Sequence, residues 1–350
     1  MTKYIGLVGG GNITETHARA ARAAAGVEIA AIYGTNAEKA ARLCREYGGA
    51  PYSDFAAFLA HRPMDFVALG SPSGLHAEQG MAAARQGLHV LTEKPIDISV
   101  RKADELIAAT RTAGVKLGVF FQDRVKPDLQ RVKSALEGGA LGKPILADAR
   151  VKWYRPPEYY GKSRWRGTKA LDGGGALINQ AVHTVDLLLW LFGDVASVQA
   201  RSKTALHAIE AEDTLVATLE FANGALGVLQ ATTSLFPGYP RRLELSGSEG
   251  TVIIEQDRVI AADLRKSPNE LLAGTPADTN PSASSPVVSD VRGHQALIED
   301  FVKAIETDSA PRCDGNEARR SLALVEAIYA ACESGERVTF GAQVRKQSGN

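Results

Sequence analysis

The chain has 350 residues, long enough to bury a sizeable core and to fold as two domains. Its 40 Lys and Arg residues balance its 40 Asp and Glu residues, so no net charge favours nucleic acid or an anionic membrane as a partner. Three cysteines without a CxxC spacing argue against a disulfide framework or a zinc site, and the apolar run 187–193 is too short to span a bilayer. With no signal-peptide core at the N-terminus, these features predict a cytoplasmic protein with a small-molecule ligand.

The first part of the chain alternates short apolar strands with alanine-rich helical stretches. Strands are predicted for KYIGLVG, VEIAAIYG, DFVALG, LHVLTE and KLGVFF, and helices near residues 12–25, 36–47, 74–86 and 99–113. This alternation is typical of a doubly wound parallel α/β sheet. We therefore expect a dinucleotide-binding Rossmann domain over residues 1–122.

The first strand leads into a glycine turn and a helix start. In the frame Gly9-x-Gly11-x-x-Thr14, Gly9 makes the tight turn and Gly11 lets a pyrophosphate approach the backbone. Asn12 and Ile13 open the helix, whose free N–H groups favour phosphate. Because Thr14 replaces the third glycine of the usual motif, the turn taken alone also fits a β-to-α connection that holds no ligand.

The end of the second strand bears on the choice of dinucleotide. An NAD site usually offers Asp or Glu to the ribose hydroxyls there, whereas this chain has Gly34. Gly34, Thr35 and Asn36 leave room and neutral donors for a 2′-phosphate, and Lys39 and Arg42 on the next helix supply positive charge. We therefore expect NADP(H) to be favoured, with NAD(H) as the alternative.

Two further strand ends carry polar residues at the edge where parallel sheets bind ligands. Ser71, Pro72 and His76 follow DFVALG and are expected to border the cofactor, although His76 also suits a helix surface. Gln122 follows KLGVFF, where its amide is expected to hydrogen-bond the nicotinamide or the ribose.

The stretch LHVLTEKPID places an acid, a base and a proline side by side after a buried strand. Glu93 and Lys94 fall at the strand's carboxyl end, so both are expected to lie at the cofactor site. A solvated pair at a strand end is the alternative reading.

After about residue 145 the pattern changes to a two-residue alternation. TLVATLEFANGALGVLQATT alternates around an Asn223-Gly224 turn, and RRLELSGSEGTVIIE repeats the hairpin pattern. We expect residues 123–350 to form an α+β domain, an open antiparallel sheet with helices on one face, that binds substrate. An exposed sheet face predicts a homodimer or homotetramer.

Three helices are predicted in this second part, at residues 176–191, 292–306 and 316–334. The segment 267–290 is rich in Pro, Ser and Ala and is predicted to be a loop.

The first of these helices is apolar nearly all round except for one polar stripe. Asn179, His183 and Asp186 are spaced i, i+4 and i+7, which puts them on one face of an α-helix. A helix this apolar is buried, and a buried polar stripe is costly unless it is hydrogen-bonded or lines a cavity. We therefore expect a site there, with a satisfied core histidine as the alternative for His183.

Three features resemble the Gfo/Idh/MocA family of sugar and cyclitol oxidoreductases: EKP at residues 93–95, WRGTKALDGGGALINQAVHTVD and the hairpin-rich sheet. The resemblance covers nearly the whole chain. WYRPPEYY looks most like the nucleotide-sugar 3-dehydrogenase branch, whose members use NAD, whereas GTNAEKA looks like the corresponding stretch of glucose-fructose oxidoreductases, which hold NADP. It implies an NAD(P)-dependent enzyme that transfers a hydride between nicotinamide and a secondary hydroxyl or keto carbon of a sugar, cyclitol or sugar nucleotide. Such chemistry needs no metal.

The same resemblance implies roles for individual residues. Lys94 is the catalytic acid/base, preceding a proline through a peptide that is often cis, and His183 hydrogen-bonds the reacting hydroxyl and assists. Trp165 and Arg166 match positions on a loop that covers the cofactor, and Asn179 stands where several members have aspartate. The substrate-binding residues are expected to be Lys94, Arg124, Tyr154, Asn179 and His183.

Two alternatives stay open at this point. One is a glycosidase of the same family that holds its cofactor tightly and oxidises the sugar only transiently. The other is a dinucleotide-binding regulator without catalysis, against which the acid/base pair Lys94 and His183 argues.

Overall fold

The computed structural model describes residues 1–163, 165–265, 271 and 290–340. The chain divides into two compact units. Unit 1 comprises Met1–Val125, Ala170–Gly173 and Pro286–Leu322, and unit 2 comprises Lys126–Lys169, Gly174–Ser285 and Ala323–Asn350. The first change of unit lies close to the expected boundary after residue 122. The return of residues 286–322 to unit 1 differs from the single division expected from the sequence.

Strands and α-helices alternate in the first third of the chain, and strands dominate the remainder. The strands are β1 Lys3–Val8, β2 Val27–Tyr33, β3 Ala50–Tyr52, β4 Phe66–Leu69, β5 His89–Thr92, β6 Leu117–Val119, β7 Pro144–Lys152, β8 Val195–Lys203, β9 Thr214–Phe221, β10 Leu226–Thr232, β11 Arg242–Gly247, β12 Gly250–Glu255, β13 Arg258–Leu264 and β14 Val338–Thr339. The helices are α1 Asn12–Ala23, α2 Ala37–Tyr47, α3 Phe55–Leu59, α4 His76–Arg85, α5 Val100–Thr112, α6 Pro127–Glu137, α7 Pro157–Gly161, α8 Val182–Phe192, α9 Arg292–Thr307 and α10 Gly315–Ser334.

Unit 1 contains a six-stranded parallel sheet in the order β3-β2-β1-β4-β5-β6. This is the strand order of a Rossmann fold, so the predicted doubly wound sheet is confirmed. The central strand β4 is buried at all four positions, because helices cover both faces of such a sheet. The short elements β3 and α3 were not predicted.

Unit 2 contains an eight-stranded sheet in the order β13-β12-β11-β7-β10-β9-β8-β14. Both predicted hairpins form, and Gly224 in the first has a φ of 87°, which glycine adopts without strain. The sheet is mixed and not purely antiparallel, because β10 pairs in parallel with β7. A parallel pair needs a long crossover, and the chain between β7 and β10 supplies one through α8 and two further strands.

The predicted helix 176–191 is not a single α-helix. Ala176–Ala181 form a π-helical turn, and α8 begins at Val182. A π turn pairs residues i and i+5, so the α-helical spacing assumed for the polar stripe does not hold across it. Asn179 and His183 are nevertheless both partly exposed on an otherwise buried segment, whereas Asp186 is buried.

The last two predicted helices form as α9 and α10, and most of the predicted loop 267–290 lies outside the described residues. Among the helices described here, none has the length and apolar character needed to cross a membrane.

Candidate functional site

The glycine turn after β1 has the shape that a dinucleotide requires. Gly9 has a φ of 127°, and a Cβ there would lie 2.6 Å from Oγ1 of Thr14 and 2.8 Å from the carbonyl oxygen of Gly70. Thr14, at the position of the third glycine of the usual motif, is fully buried against this turn. A Cβ at Gly11 would meet nothing within 4 Å, and α1 begins at the exposed Asn12 without a side-chain cap. The open helix start therefore fits a pyrophosphate.

The end of β2 carries no carboxylate, as expected, and the first acidic side chain is that of Glu38 in α2. Asn36 caps α2 by accepting a 2.9 Å hydrogen bond from the backbone N–H of Lys39. The Lys39 side chain is exposed, and its Cβ lies 3.8 Å from where a Cβ on Gly10 would stand. Arg42 differs from Lys39, because its guanidinium pairs with Glu15 and Glu46.

The loop after β4 is held by His76. Its Nδ1 lies 2.8 Å from the carbonyl oxygen of Pro95 and its Nε2 3.0 Å from that of Ser71. His76 is buried and does not lie on the helix surface. Burial lowers the pKa of His76 despite these two acceptors, so the neutral ring donates to one of them. Pro72, between Ser71 and the helix, is partly buried.

Lys94 emerges at the carboxyl end of β5. It is partly exposed, whereas its neighbours Glu93 and Pro95 are buried, and the Lys94–Pro95 peptide is cis, as the family resemblance implies. The backbone N–H of Lys94 donates to Oε2 of Glu93 at 3.2 Å. The carboxylate therefore holds the peptide from which the Lys94 side chain projects.

Glu93 is itself fixed by two histidines that the sequence did not single out. Its Oε1 lies 3.0 Å from Nε2 of His17 in α1 and 3.2 Å from Nε2 of His294 in α9. Phe120 stacks on His17 with the ring centroids 4.5 Å apart. Burial raises the pKa of Glu93, but the hydrogen bonds from both imidazoles outweigh it, so this pKa falls well below its usual range. Burial lowers the pKa of His17, which keeps that ring neutral.

The same three side chains offer ligand atoms within 4.8 Å of one another, a grouping that can hold a metal ion. Both histidine nitrogens lie at hydrogen-bond distance from one carboxylate oxygen, so here they act as donors to Glu93. The expectation that no metal is needed stays a prediction.

In unit 2, a polar network adjoins Asn179. The amide of Gln180 donates to the hydroxyl of Tyr159 at 2.9 Å and to Oδ1 of Asn179 at 3.4 Å. The buried guanidinium of Arg155 donates to Oε1 of Gln180 at 3.1 Å. Burial lowers the pKa of Arg155.

Of the two loop residues expected to cover the cofactor, Arg166 lies over the ring of Tyr159 and also contacts Trp165. The guanidinium of Arg166 lies 4.2 Å from the ring centroid of Tyr159 and 5.4 Å from that of Trp165. Cationic groups over aromatic faces are stabilised by the ring quadrupole. Tyr154, expected to bind substrate, is partly exposed and packs edge-on against Phe236.

Two residues expected to contact cofactor or substrate, Gln122 and Arg124, lie at the end of the first domain. Gln122 is partly exposed and packs against Gly293 at the start of α9. Arg124 is buried and donates to Oε2 of Glu317 at 2.9 Å, a pairing that the sequence did not suggest. A part in substrate binding for Arg124 stays a prediction.

Comparison with known proteins places this arrangement in a family. Residues 3–121 match the oxidoreductase family with an NAD-binding Rossmann fold, and residues 129–253 match the GFO/IDH/MocA C-terminal domain. The chain is 34% identical to the WlbA dehydrogenase from Bordetella pertussis, solved with NADH and UDP-GlcNAcA, with a TM-score of 0.86 over 98% of this chain and 100% of that one. The chain belongs to the Gfo/Idh/MocA family of oxidoreductases.

Two curated Gfo/Idh/MocA relatives have lower identity to this chain. The 1,5-anhydro-D-fructose reductase of Ensifer adhaerens is 29% identical over 95% of this chain and 96% of its own length. The inositol 2-dehydrogenase of Rhizobium meliloti is 25% identical over 93% and 96%. The family carries an NAD-binding Rossmann domain, so the expected enzyme class is confirmed.

Sequence reasoning missed His17, His294, Glu212 and Tyr329. His17 and His294 are single histidines in helices, and only the fold brings them to Glu93. Glu212 and Tyr329 also carried no signal in the sequence, because the N–H groups that they accept from lie far away in the chain.

Proposed function

We propose that the chain is an NAD(P)-dependent dehydrogenase acting on a secondary hydroxyl of a sugar, cyclitol or sugar nucleotide. The observation that carries the proposal is the partly exposed Lys94 at the same sheet edge as an open glycine turn, held from below by a buried carboxylate. The similarity to WlbA, which was solved with a nucleotide sugar, supports the sugar-nucleotide class.

The proposed site residues have different roles because their side chains differ in chemistry. When bound, the nicotinamide supplies or accepts the hydride. Lys94, as a neutral amine, takes the proton from the substrate hydroxyl, and as an ammonium it returns a proton in the reverse direction. His183 hydrogen-bonds that hydroxyl and assists the transfer. Asn179 can donate and accept hydrogen bonds but cannot act as a base.

The dinucleotide is proposed to lie along the carboxyl edge of the parallel sheet. Gly9 and Gly11 admit the pyrophosphate, and the N–H groups of Asn12 and Ile13 face its charge. The remaining residues proposed to border it are Gly34, Thr35, Asn36, Lys39, Ser71, Pro72, His76, Glu93, Lys94, Gln122, Trp165 and Arg166. Residues 1–122 are accordingly proposed to bind the cofactor, and residues 123–350 the substrate.

The test is a panel of sugars, cyclitols and sugar nucleotides, including UDP-GlcNAcA, assayed for a change in nicotinamide absorbance with NAD and NADP. We expect turnover of at least one class. Bound cofactor that never exchanges while the sugar is cleaved would favour the glycosidase, and cofactor binding without any turnover would favour the regulator.

For the cofactor, we propose tighter binding of NADP(H) than of NAD(H). The end of β2 holds no carboxylate to repel a 2′-phosphate, and Lys39 is exposed beside the glycine turn without an ion pair among the described residues. The NADH in the WlbA complex points the other way. Competitive binding decides: tighter NADH binding, or no loss of NADPH affinity in Lys39→Ala, would overturn the preference.

We further propose a cytoplasmic homodimer or homotetramer. A reducing compartment suits Cys44, Cys313 and Cys332, none of which forms a disulfide bond among the described residues. The outward face of the unit 2 sheet exposes large apolar side chains of the kind that oligomers cover.

A further inference from the structure

The segment that carries Asn179 and His183 starts in an unusual way. It follows three glycines at residues 173–175, and Gly175 precedes the π-helical turn without offering a side-chain cap. The first N–H groups of a helix have no partner within the helix, so a buried start needs acceptors from elsewhere.

Those acceptors come from two residues that are distant in the chain, Glu212 and Tyr329. The Glu212 carboxylate accepts from the N–H of Gly175 at 3.1 Å and from that of Leu177 at 2.8 Å. The Glu212 carbonyl oxygen accepts from the N–H of Ala176 at 3.0 Å. Glu212 alone thus serves three consecutive N–H groups.

Tyr329 completes the set. Its hydroxyl accepts from the N–H of Ile178 at 3.4 Å and donates to Oε1 of Glu212 at 3.1 Å. Burial and the nearby Glu212 raise the pKa of Tyr329 well above its usual range, so the hydroxyl keeps the proton that it donates. Burial raises the pKa of Glu212, and the N–H and O–H donors around it oppose that rise.

The glycines are explained by the same two residues. A Cβ on Gly175 would lie 1.8 Å from the carbonyl oxygen of Glu212, and a Cβ on Gly174 would lie 2.1 Å from the hydroxyl of Tyr329. Only glycine lets the chain approach the pair closely enough to form these hydrogen bonds.

We propose that Glu212 and Tyr329 are positioning residues that fix the start of the π-helical turn and so set the direction in which Asn179 and His183 project. We name the pair the Glu212–Tyr329 clamp. The proposal rests on the proposed function for the roles of Asn179 and His183, and it assigns the clamp no contact with substrate. π turns inside helices occur frequently at functional segments.

The experiment compares Glu212→Ala and Tyr329→Phe with wild type and with Leu245→Ala, a control that removes a buried side chain from β11 of the same unit. The measurements in each variant are the Tm, the amide exchange of residues 175–178, the NMR signal of the His183 imidazole, the Kd of NADH and the kinetics with UDP-GlcNAcA. The imidazole signal is assigned by its loss in His183→Ala.

We expect Glu212→Ala to speed exchange of the four amides, to move the His183 signal and to lower kcat/KM about tenfold to hundredfold, since misplacement by about 1 Å costs that much. Tyr329→Phe is expected to change the same quantities in the same direction but less strongly. It tests the proposal if Glu212→Ala does not fold. The Kd of NADH should stay within about twofold of wild type, because the glycine turn proposed to bind the pyrophosphate is unchanged.

The clamp is overturned if the four amides and the His183 signal are unchanged in Tyr329→Phe, or if Leu245→Ala moves them equally at the same loss of Tm. An inactive wild type on the whole panel would defeat the proposed function, while the exchange and imidazole signals would still decide the clamp. If the His183 signal moves but the kinetics of an active enzyme are unaltered, the positioning role of the Glu212–Tyr329 clamp is overturned.

Discussion

Lys94 and Glu93 are adjacent in the chain but occupy opposite environments. The lysine is partly exposed and the glutamate is buried, with its carboxylate bound to two imidazoles and to the lysine's own N–H. At this strand end the Glu93 side chain enters the core and the Lys94 side chain leaves it. The direction in which the lysine can project is therefore restricted. Glu93 therefore holds the backbone from which the Lys94 side chain projects.

We predict that Lys94→Ala abolishes most hydride transfer while leaving dinucleotide affinity nearly intact. A general acid/base contributes about a hundredfold to ten-thousandfold in rate, and the phosphates are expected to contact the glycine turn instead. Steady-state turnover and NADH titration measure the two effects. Lys116→Ala, which removes an ion pair with the exposed Asp308, is the control. Turnover within a few-fold of wild type in Lys94→Ala would exclude the assignment.

We predict that Glu93→Gln destabilises the protein by about 1–3 kcal/mol at neutral pH, because the amide presents a donor where donors already converge. The lowered pKa of Glu93 stabilises the fold above the unfolded-state pKa of about 4.3, and this contribution is lost as pH falls toward the folded-state value. The difference in unfolding free energy from wild type should therefore shrink below about pH 4.3.

Denaturant unfolding at several pH values measures that difference. Glu105→Gln, at an exposed pair with Arg101, should have little effect at any pH. A penalty for Glu93→Gln that stays constant with pH would contradict the ionised buried carboxylate.

Whether a residue's position in the fold could be predicted depended on how local its partners are. The positions of Gly9, Gly11 and Lys94 followed from strand ends, since the sheet edge is fixed by the alternation of strands and helices. The partners of Glu93 lie in α1 and α9, far apart in the chain, and no periodicity relates them.

The elements themselves differ in how far the sequence determined them. The Asn223-Gly224 hairpin was predictable because turn chemistry and alternation agree within one short stretch. The π turn at 176–181 was not, because its start is stabilised by Glu212 and Tyr329 and not by any local cap. The parallel pairing of β7 with β10 likewise depends on a crossover that alternation does not encode.

Two glycine substitutions separate folding from binding at these elements. We predict that Gly175→Ala lowers Tm markedly, because its Cβ would lie 1.8 Å from a backbone oxygen that cannot move cheaply. Gly11→Ala should leave Tm nearly unchanged, since its Cβ meets nothing within 4 Å, but should weaken NADH binding by crowding the pyrophosphate. Thermal unfolding and NADH titration test both. Equal Tm losses, or full NADH affinity in Gly11→Ala, would refute this distinction.

Across the whole chain, the division into units does not follow the order of the sequence. Residues 286–322 return to unit 1, where His294 of α9 reaches Glu93 and Glu317 of α10 reaches Arg124. A prediction made in chain order assigns such a segment to the domain that precedes it in the sequence. The C-terminal segment therefore contributes to the surroundings of Lys94.

The outward face of the unit 2 sheet bears on the assembly of the molecule. Leu226 of β10 lies directly opposite Leu146 of β7, and the two side chains are 56% and 47% exposed. Val216 of β9 is 48% exposed on the same face. Adjacent apolar side chains on a sheet face are costly in water, so a second copy that covers them gains free energy.

We predict that Leu226→Lys lowers the oligomeric state, because an ammonium placed in an apolar interface would be desolvated without a partner. Molar mass by light scattering or sedimentation at micromolar concentration measures the change. Ile145→Lys is the matched control, since Ile145 precedes Leu146 and points to the opposite side of the same strand. A wild type that is monomeric, or a Leu226→Lys variant that keeps the wild-type mass, would show that this face is not the interface. A loss of mass in Leu226→Lys alone would place the subunit contact on it.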